Sequence, residues 1–140
     1  MKESKLILII EDNKSFRLLM THFFSKHYQV VTKNDGISAM HWLKEGYYPD
    51  LILLDLGMPK MTGKDFLTGL KSSGFYKNIP VIVVSGNKRD TFTNDAMNDI
   101  QHYFEKPFDP RKLLEKIEHI FTSSPVQYWF YTPPKSLYSN

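Results

Sequence analysis

Three short runs of the chain, Leu6–Ile10 (LILII), Leu51–Leu54 (LILL) and Val81–Val84 (VIVV), contain only aliphatic residues, and each ends abruptly at a polar one. A strand with one wet face alternates apolar and polar residues; a strand that is apolar at every position has both faces covered. The cover must come from the segments between the runs. Phe16, Leu19, Met20 and Phe23 fall at i, i+3, i+4 and i+7, one apolar stripe of a helix. Ile37, Met40 and Leu43 repeat the pattern, followed by Phe66, Leu67 and Leu70. A weaker helix is read over Thr91–Asn98, with Phe92, Ala96 and Met97 to bury. The last is strong: Asp109 suits the N-cap, Pro110 the first helical position, and Leu113, Leu114, Ile117 and Phe121 form its stripe. Further strands over Gln29–Thr32 and Ile100–Phe104 complete an alternation of five strands and five helices, an α/β protein with a doubly wound parallel sheet.

A chain of 140 residues has room for one such domain. It contains no cysteine, which excludes disulfides and thiolate metal sites and fits a reducing compartment. The apolar start is cut short by Glu11 and Asp12, so it reads neither as a signal peptide nor as a membrane span, and a soluble cytoplasmic protein is expected. The net charge of +3 is mild and its basic residues are scattered, an argument against direct nucleic-acid binding.

In open parallel sheets, ligands bind beyond the carboxyl ends of the strands. After the first strand come Glu11 and Asp12, after the third Asp55, after the fourth Ser85-Gly86, and after the fifth Lys106-Pro107. Clustered carboxylates repel one another, and a hard divalent cation, most naturally Mg²⁺ with Mn²⁺ as a substitute, removes that repulsion. A metal held by acids beside an ammonium and a hydroxyl suits a phosphoryl group. Asp55, on the strand expected at the centre of the sheet, is the candidate nucleophile.

Glu11-Asp12, Asp55-Leu56-Gly57-Met58-Pro59 with Met61 and Gly63, Ser85-Gly86 and Lys106-Pro107-Phe108 resemble, in order and spacing, the CheY-like receiver domains of two-component response regulators. The resemblance spans roughly Lys5 to Phe121 and implies a flavodoxin-like fold with strand order 2-1-3-4-5. It implies that Asp55 accepts a phosphoryl group from a histidine kinase or histidine phosphotransfer protein. Asp12, Asp55 and the Gly57 backbone carbonyl would ligate Mg²⁺, with Glu11 acting through water. Lys106 would pair with Asp55 at rest and with phosphate afterwards, aimed inward by a cis Lys106-Pro107 bond. Ser85 would donate to the phosphoryl group, Gly86 would leave it room, and Tyr103 would be the aromatic switch. Gly57 and Asn87 occupy positions that tune phosphate lifetime. A downstream protein would read the face formed by the fourth expected helix, the fifth strand and the fifth expected helix.

The family's usual Gly-Ala before the fifth strand is replaced by Asp99-Ile100, where Asp tolerates the left-handed conformation of a helix end and the turn survives. Tyr103 also suits a plain core role. An aspartyl-phosphate phosphatase of haloacid-dehalogenase type is the rival from another class, but Gly57 stands where such an enzyme needs its second acid. A degenerate receiver used as a scaffold is the third reading. The receiver is expected to occupy residues 1–122. The remainder, 123–140, reads as an aromatic, proline-containing tail that breaks at Ser123-Ser124-Pro125 and forms no separate domain. It would fold back, bind a partner or a second copy as a homodimer, or lead into a longer regulator.

Overall fold

The computed structural model describes residues 4–58, 60–86 and 98–131, with side chains described through Ser123. Its elements are β1 (Leu6–Ile10), α1 (Lys14–Phe24), β2 (Gln29–Lys33), α2 (Gly36–Lys44), β3 (Leu51–Leu54), α3 (Gly63–Ser72), β4 (Val81–Ser85), β5 (His102–Glu105) and α4 (Pro110–Tyr131). The helix expected over Thr91–Asn98 lies outside the described residues but for its last position, as does Asn87. The chain divides into two units, one ending at Phe108 and the other beginning at Asp109.

The sheet is parallel throughout, in the order β2-β1-β3-β4-β5. Its register determines where the site falls. Ile10 pairs with Leu54, Leu54 with Val83, and Ser85 with Glu105, so the residues that follow β1, β3, β4 and β5 emerge at one edge. On one face Leu8, Ile10, Ile52, Leu54, Val81 and Val83 pack with Ala39, Trp42 and Leu43 of α2 and with Phe66, Leu67 and Leu70 of α3. The intervening Ile7, Ile9, Leu51, Leu53, Ile82 and Val84 are at most 2% exposed, so both faces of the three aliphatic strands are covered. Burying each such side chain contributes about 1.5–3 kcal/mol.

Side-chain caps start the first three helices. Asn13, Asp35 and Thr62 accept from the amides of Phe16, Ser38 and Asp65. At α4, Asp109 accepts from the Arg111 amide and Pro110 opens the helix.

The structure corrects the sequence reading in four places. The buried face of α1 is Met20 and Phe24, while Leu19 is 59% exposed; the sheltered stripe advances by four residues from Phe16 rather than passing through Leu19. In α2 the buried face is Ala39, Trp42 and Leu43, and Ile37 is exposed. β5 begins at His102 instead of Ile100, because the side chain of Gln101 takes the Val81 amide at 2.9 Å while its own amide meets the Val81 carbonyl. Finally, the helix does not stop at Ser123-Ser124-Pro125 but runs to Tyr131. Proline disfavours a helix interior without forbidding it. Just before it, Thr122 and Ser123 turn their hydroxyls back onto the helix's own carbonyls of Glu118 and Ile120, so these residues settle into the helix instead of capping it.

The start of α3 is pressed against the end of β3. A Cβ at Gly63 would lie 2.5 Å from both the Asp55 carbonyl oxygen and the Leu56 Cα, and the Gly63 amide donates to the Leu56 carbonyl at 3.1 Å. Backbone atoms cannot swing aside as a side-chain tip can. Gly63→Ala is therefore expected to lower unfolding free energy by about 1–3 kcal/mol in urea titrations, with the slope unchanged.

Candidate phosphoacceptor site

Asp55 follows β3, its amide bonded to the Ile10 carbonyl of the neighbouring β1 at 3.1 Å. Glu11 follows β1 directly and is 3% exposed; Asp55 is 6% exposed, and Asp12 faces solvent. One carboxylate oxygen from each of Glu11, Asp12 and Asp55 lies within 4.8 Å of the other two. Ser85 is fully buried at the end of β4, and its carbonyl accepts from the Lys106 amide at 2.9 Å. The Lys106–Pro107 peptide is cis. Five of the sequence-read residues thus meet at one sheet edge.

Lys106 pairs with Asp55, as the resemblance implied, and more closely with Glu11. Its ammonium hydrogen-bonds Glu11 Oε1 at 2.9 Å, and Asp55 Oδ1 stands 4.0 Å away. Asp55 Oδ1 also accepts from the Gly57 amide at 3.2 Å, while the longer Glu11 side chain takes the hydrogen bond from the ammonium. Glu11 Oε2 takes the Asn13 amide at 3.1 Å, so both of its oxygens are engaged.

Burial pushes the carboxyls of Glu11 and Asp55 above their ordinary range. For Glu11 the hydrogen bond from Lys106 opposes this rise, and the nearby charge of Asp55 adds to it. For Asp55 the Lys106 charge and the Gly57 amide oppose the rise, and Asp12 adds to it. Two buried acids and a third beside them form a hard-oxygen donor set whose mutual repulsion a divalent cation would relieve, and it fits such a cation. No histidine belongs to this group.

The remaining sequence-read positions are placed as follows. Gly57 is exposed, two residues beyond Asp55. No atom of the described residues lies within 4 Å of a Cβ placed at Gly86. Tyr103 is partly buried against the core cluster, opposite Val83.

Two contributors escaped the sequence reading. Arg17 hydrogen-bonds the carbonyl of Glu11 at 2.9 Å and that of Asp12 at 3.4 Å, folding the acidic loop over the first turn of α1. Phe16, read as part of a core stripe, lies with its ring centroid 4.3 Å from the Lys106 ammonium. An aromatic and an arginine in the helical turn after an acidic pair were the available signals.

The response regulator receiver domain model matches residues 7–118. The chain belongs to this family. Receiver domains are phosphorylation switches, and the relatives of this one include both free-standing regulators and parts of kinases. The chemotaxis protein CheY of Pseudomonas aeruginosa is 32% identical over 118 residues, covering 82% of this chain and 94% of that protein. Hybrid signal transduction histidine kinase D of Dictyostelium discoideum is 28% identical over 118 residues, 84% of this chain but only 8% of the kinase. Among solved structures, the phosphorylated cyanobacterial phytochrome response regulator RcpA superposes with a TM-score of 0.72 at 29% identity, covering 93% of this chain and 96% of RcpA. The receiver of a sensor histidine kinase from P. aeruginosa, at 22% identity and a TM-score of 0.74, shares the fold over 84% of this chain and 97% of its own. No helix among the described residues is long and apolar enough to cross a membrane.

The raised carboxyls set a pH dependence with a definite sign. Between the ordinary values, 4.5 for Glu11 and 3.8 for Asp55, and their higher folded values, the folded receiver holds protons that the unfolded chain has released. In chelator, stability should therefore fall as pH rises through that window and remain low above it. Asp55→Asn should flatten the fall and melt higher than the parent at neutral pH, as calorimetry would read directly.

Proposed function

We propose that Asp55 is the phosphoacceptor of this receiver, taking its phosphoryl group from a histidine kinase or histidine phosphotransfer protein. The observation that carries the reading is the meeting of Glu11, Asp12 and Asp55 within 4.8 Å, with the Lys106 ammonium at their side. An Asp55 carboxylate oxygen attacks phosphorus, an O–P bond forms, the N–P bond of the donor phosphohistidine breaks, and the imidazole leaves with the electron pair. Asp12, Asp55 and the Gly57 carbonyl would hold Mg²⁺, or Mn²⁺ in its place, with Glu11 acting through water. When bound, the cation supplies positive charge to the oxygens of the transferring group.

Lys106 moves from Glu11 to a phosphoryl oxygen, and the Ser85 hydroxyl donates to another. Each bond exists only once phosphate is present, so each biases the chain toward the phosphorylated arrangement. Tyr103 packs at the core margin one strand away from Asp55's neighbour β4, where a change in Ser85 can be felt as a change in packing. We assign it the switch role, and we assign Gly57 and Asn87 to phosphate lifetime. The readout is partner binding, with a downstream protein on the face that includes β5, and the chain acts in the cytoplasm as a signalling phosphoacceptor rather than as a turnover enzyme. A phosphatase reading lacks its acid, because Gly57 stands two residues after the nucleophile.

Incubation with Mg²⁺ and acetyl phosphate should add one phosphoryl mass, dependent on Mg²⁺ and absent in Asp55→Asn. Ser85→Ala should slow labelling about tenfold, the loss of one charge-assisted hydrogen bond. Absence of labelling with any donor would leave a scaffold, and rapid multiple turnover of phosphomonoesters would make the protein a phosphatase.

A further inference from the structure

Lys106 has a third neighbour besides its two carboxylates. Its ammonium sits over the ring of Phe16, 4.3 Å from the centroid, well inside the range at which a cation is drawn to the negative face of an aromatic ring. The ring is itself held from two directions. The Phe16 amide is bonded to the capping Asn13 side chain at 2.8 Å, which fixes the first turn of α1 beside the acidic loop. The edge of Phe108 meets the Phe16 ring at 5.9 Å and 78°, and Phe108 in turn packs against Phe104 of β5 at 5.7 Å. Three rings thus tie the start of α1 to the strand and loop that carry Lys106.

We infer that Phe16 is a positioning residue for Lys106, a neutral aromatic seat that holds the ammonium at the phosphoacceptor while leaving its N–H donors free to change partner. The reasoning rests on what the lysine must do if Asp55 is the acceptor, so this inference builds on that proposal. At rest the ammonium is bonded to Glu11 at 2.9 Å and lies 4.0 Å from Asp55. To serve a phosphoryl group it must turn an N–H donor toward the acceptor oxygens without swinging into solvent, to which its side chain is already 23% exposed. A lysine stem is long and flexible. A third carboxylate would restrain it but would also compete for its protons and repel an incoming phosphoryl group. A ring face restrains it without doing either. The same ring, with Asn13, Ser15, Leu19 and Lys106, lines a shallow depression of about 430 Å³ that opens beside the lysine.

The test uses the full chain with Phe16 replaced by mono-, di- and trifluorinated phenylalanine, which drain the ring face stepwise with little change of shape, together with Phe16→Leu and Phe16→Tyr. The rate of labelling by acetyl phosphate in Mg²⁺ should fall step by step along the fluorinated series. It should drop about threefold to tenfold in Phe16→Leu and recover in Phe16→Tyr. In the unphosphorylated protein, the ε-methylene protons of Lys106 should show an upfield ring-current shift that Phe16→Leu abolishes. A labelling rate unchanged along the fluorinated series, in a parent that labels, would overturn the seat while leaving Asp55 as acceptor. A parent that does not label would overturn the acceptor reading instead. The ring-current shift would then decide the placement of Lys106 alone, its absence refuting the seat.

Discussion

Two carboxylates that are almost out of water, with a third at their edge, are the least comfortable feature of this protein, and the rest of the site is arranged around them. Burial raises Glu11 and Asp55 against ionisation, and each has a neighbouring acid that adds to the rise. Among the described residues the Lys106 ammonium stands against them, engaged with Glu11 at 2.9 Å and more distantly with Asp55 at 4.0 Å. A charge of that kind does not repay the desolvation of several acids. On the proposed reading, cationic charge and a phosphoryl group complete the site, and its discomfort is a bias toward binding them.

Such a site persists only on a stiff mount. β1, β3 and β4 are aliphatic at nearly every position and sealed on both faces, which places the surplus of burial energy directly beneath the acids. Register then does the aiming: because Ile10 and Leu54 are paired, the residues after them emerge side by side. The glycine at position 63 lets α3 close onto the Asp55–Leu56 backbone, and Arg17 folds the Glu11–Asp12 loop over α1. Lys60, with φ of 65°, takes the left-handed conformation in the loop between β3 and α3, a strained choice for a residue with a side chain. These supports are local, and none of them fixes the position of the Lys106 ammonium.

Much of this was legible in the residues. Unbroken aliphatic runs in a chain of this size point to strands covered on both faces, and strand ends are where an α/β sheet exposes chemistry, so the grouping of Glu11, Asp12, Asp55, Ser85 and Lys106 is legible in the sequence. What escaped was decided by tertiary geometry. Leu19 fits a helical stripe as well as Phe24 does, and only the docking angle of α1 exposes the one and buries the other. Ser123-Ser124-Pro125 looks like a stop because each residue is a poor helix former, yet the helix runs through it. The choice of Glu11 over Asp55 as the hydrogen-bond partner of Lys106 depends on side-chain length and on the Gly57 amide, neither of which spacing can rank. Phe16 was visible as an apolar residue but not as the neighbour of a cation.

Whether the three carboxylates form a cation site whose filling relieves them is tested most directly by unfolding the full chain across a Mg²⁺ titration that starts in chelator. A cation that binds only the folded receiver stabilises it progressively, by about 2.7 kcal/mol once its concentration reaches a hundred times the dissociation constant. The account predicts that rise for the parent and a much flatter response for Asp12→Asn, which removes the exposed member of the set. An unfolding curve that does not move between chelator and saturating Mg²⁺, or one that moves equally in both proteins, would contradict it.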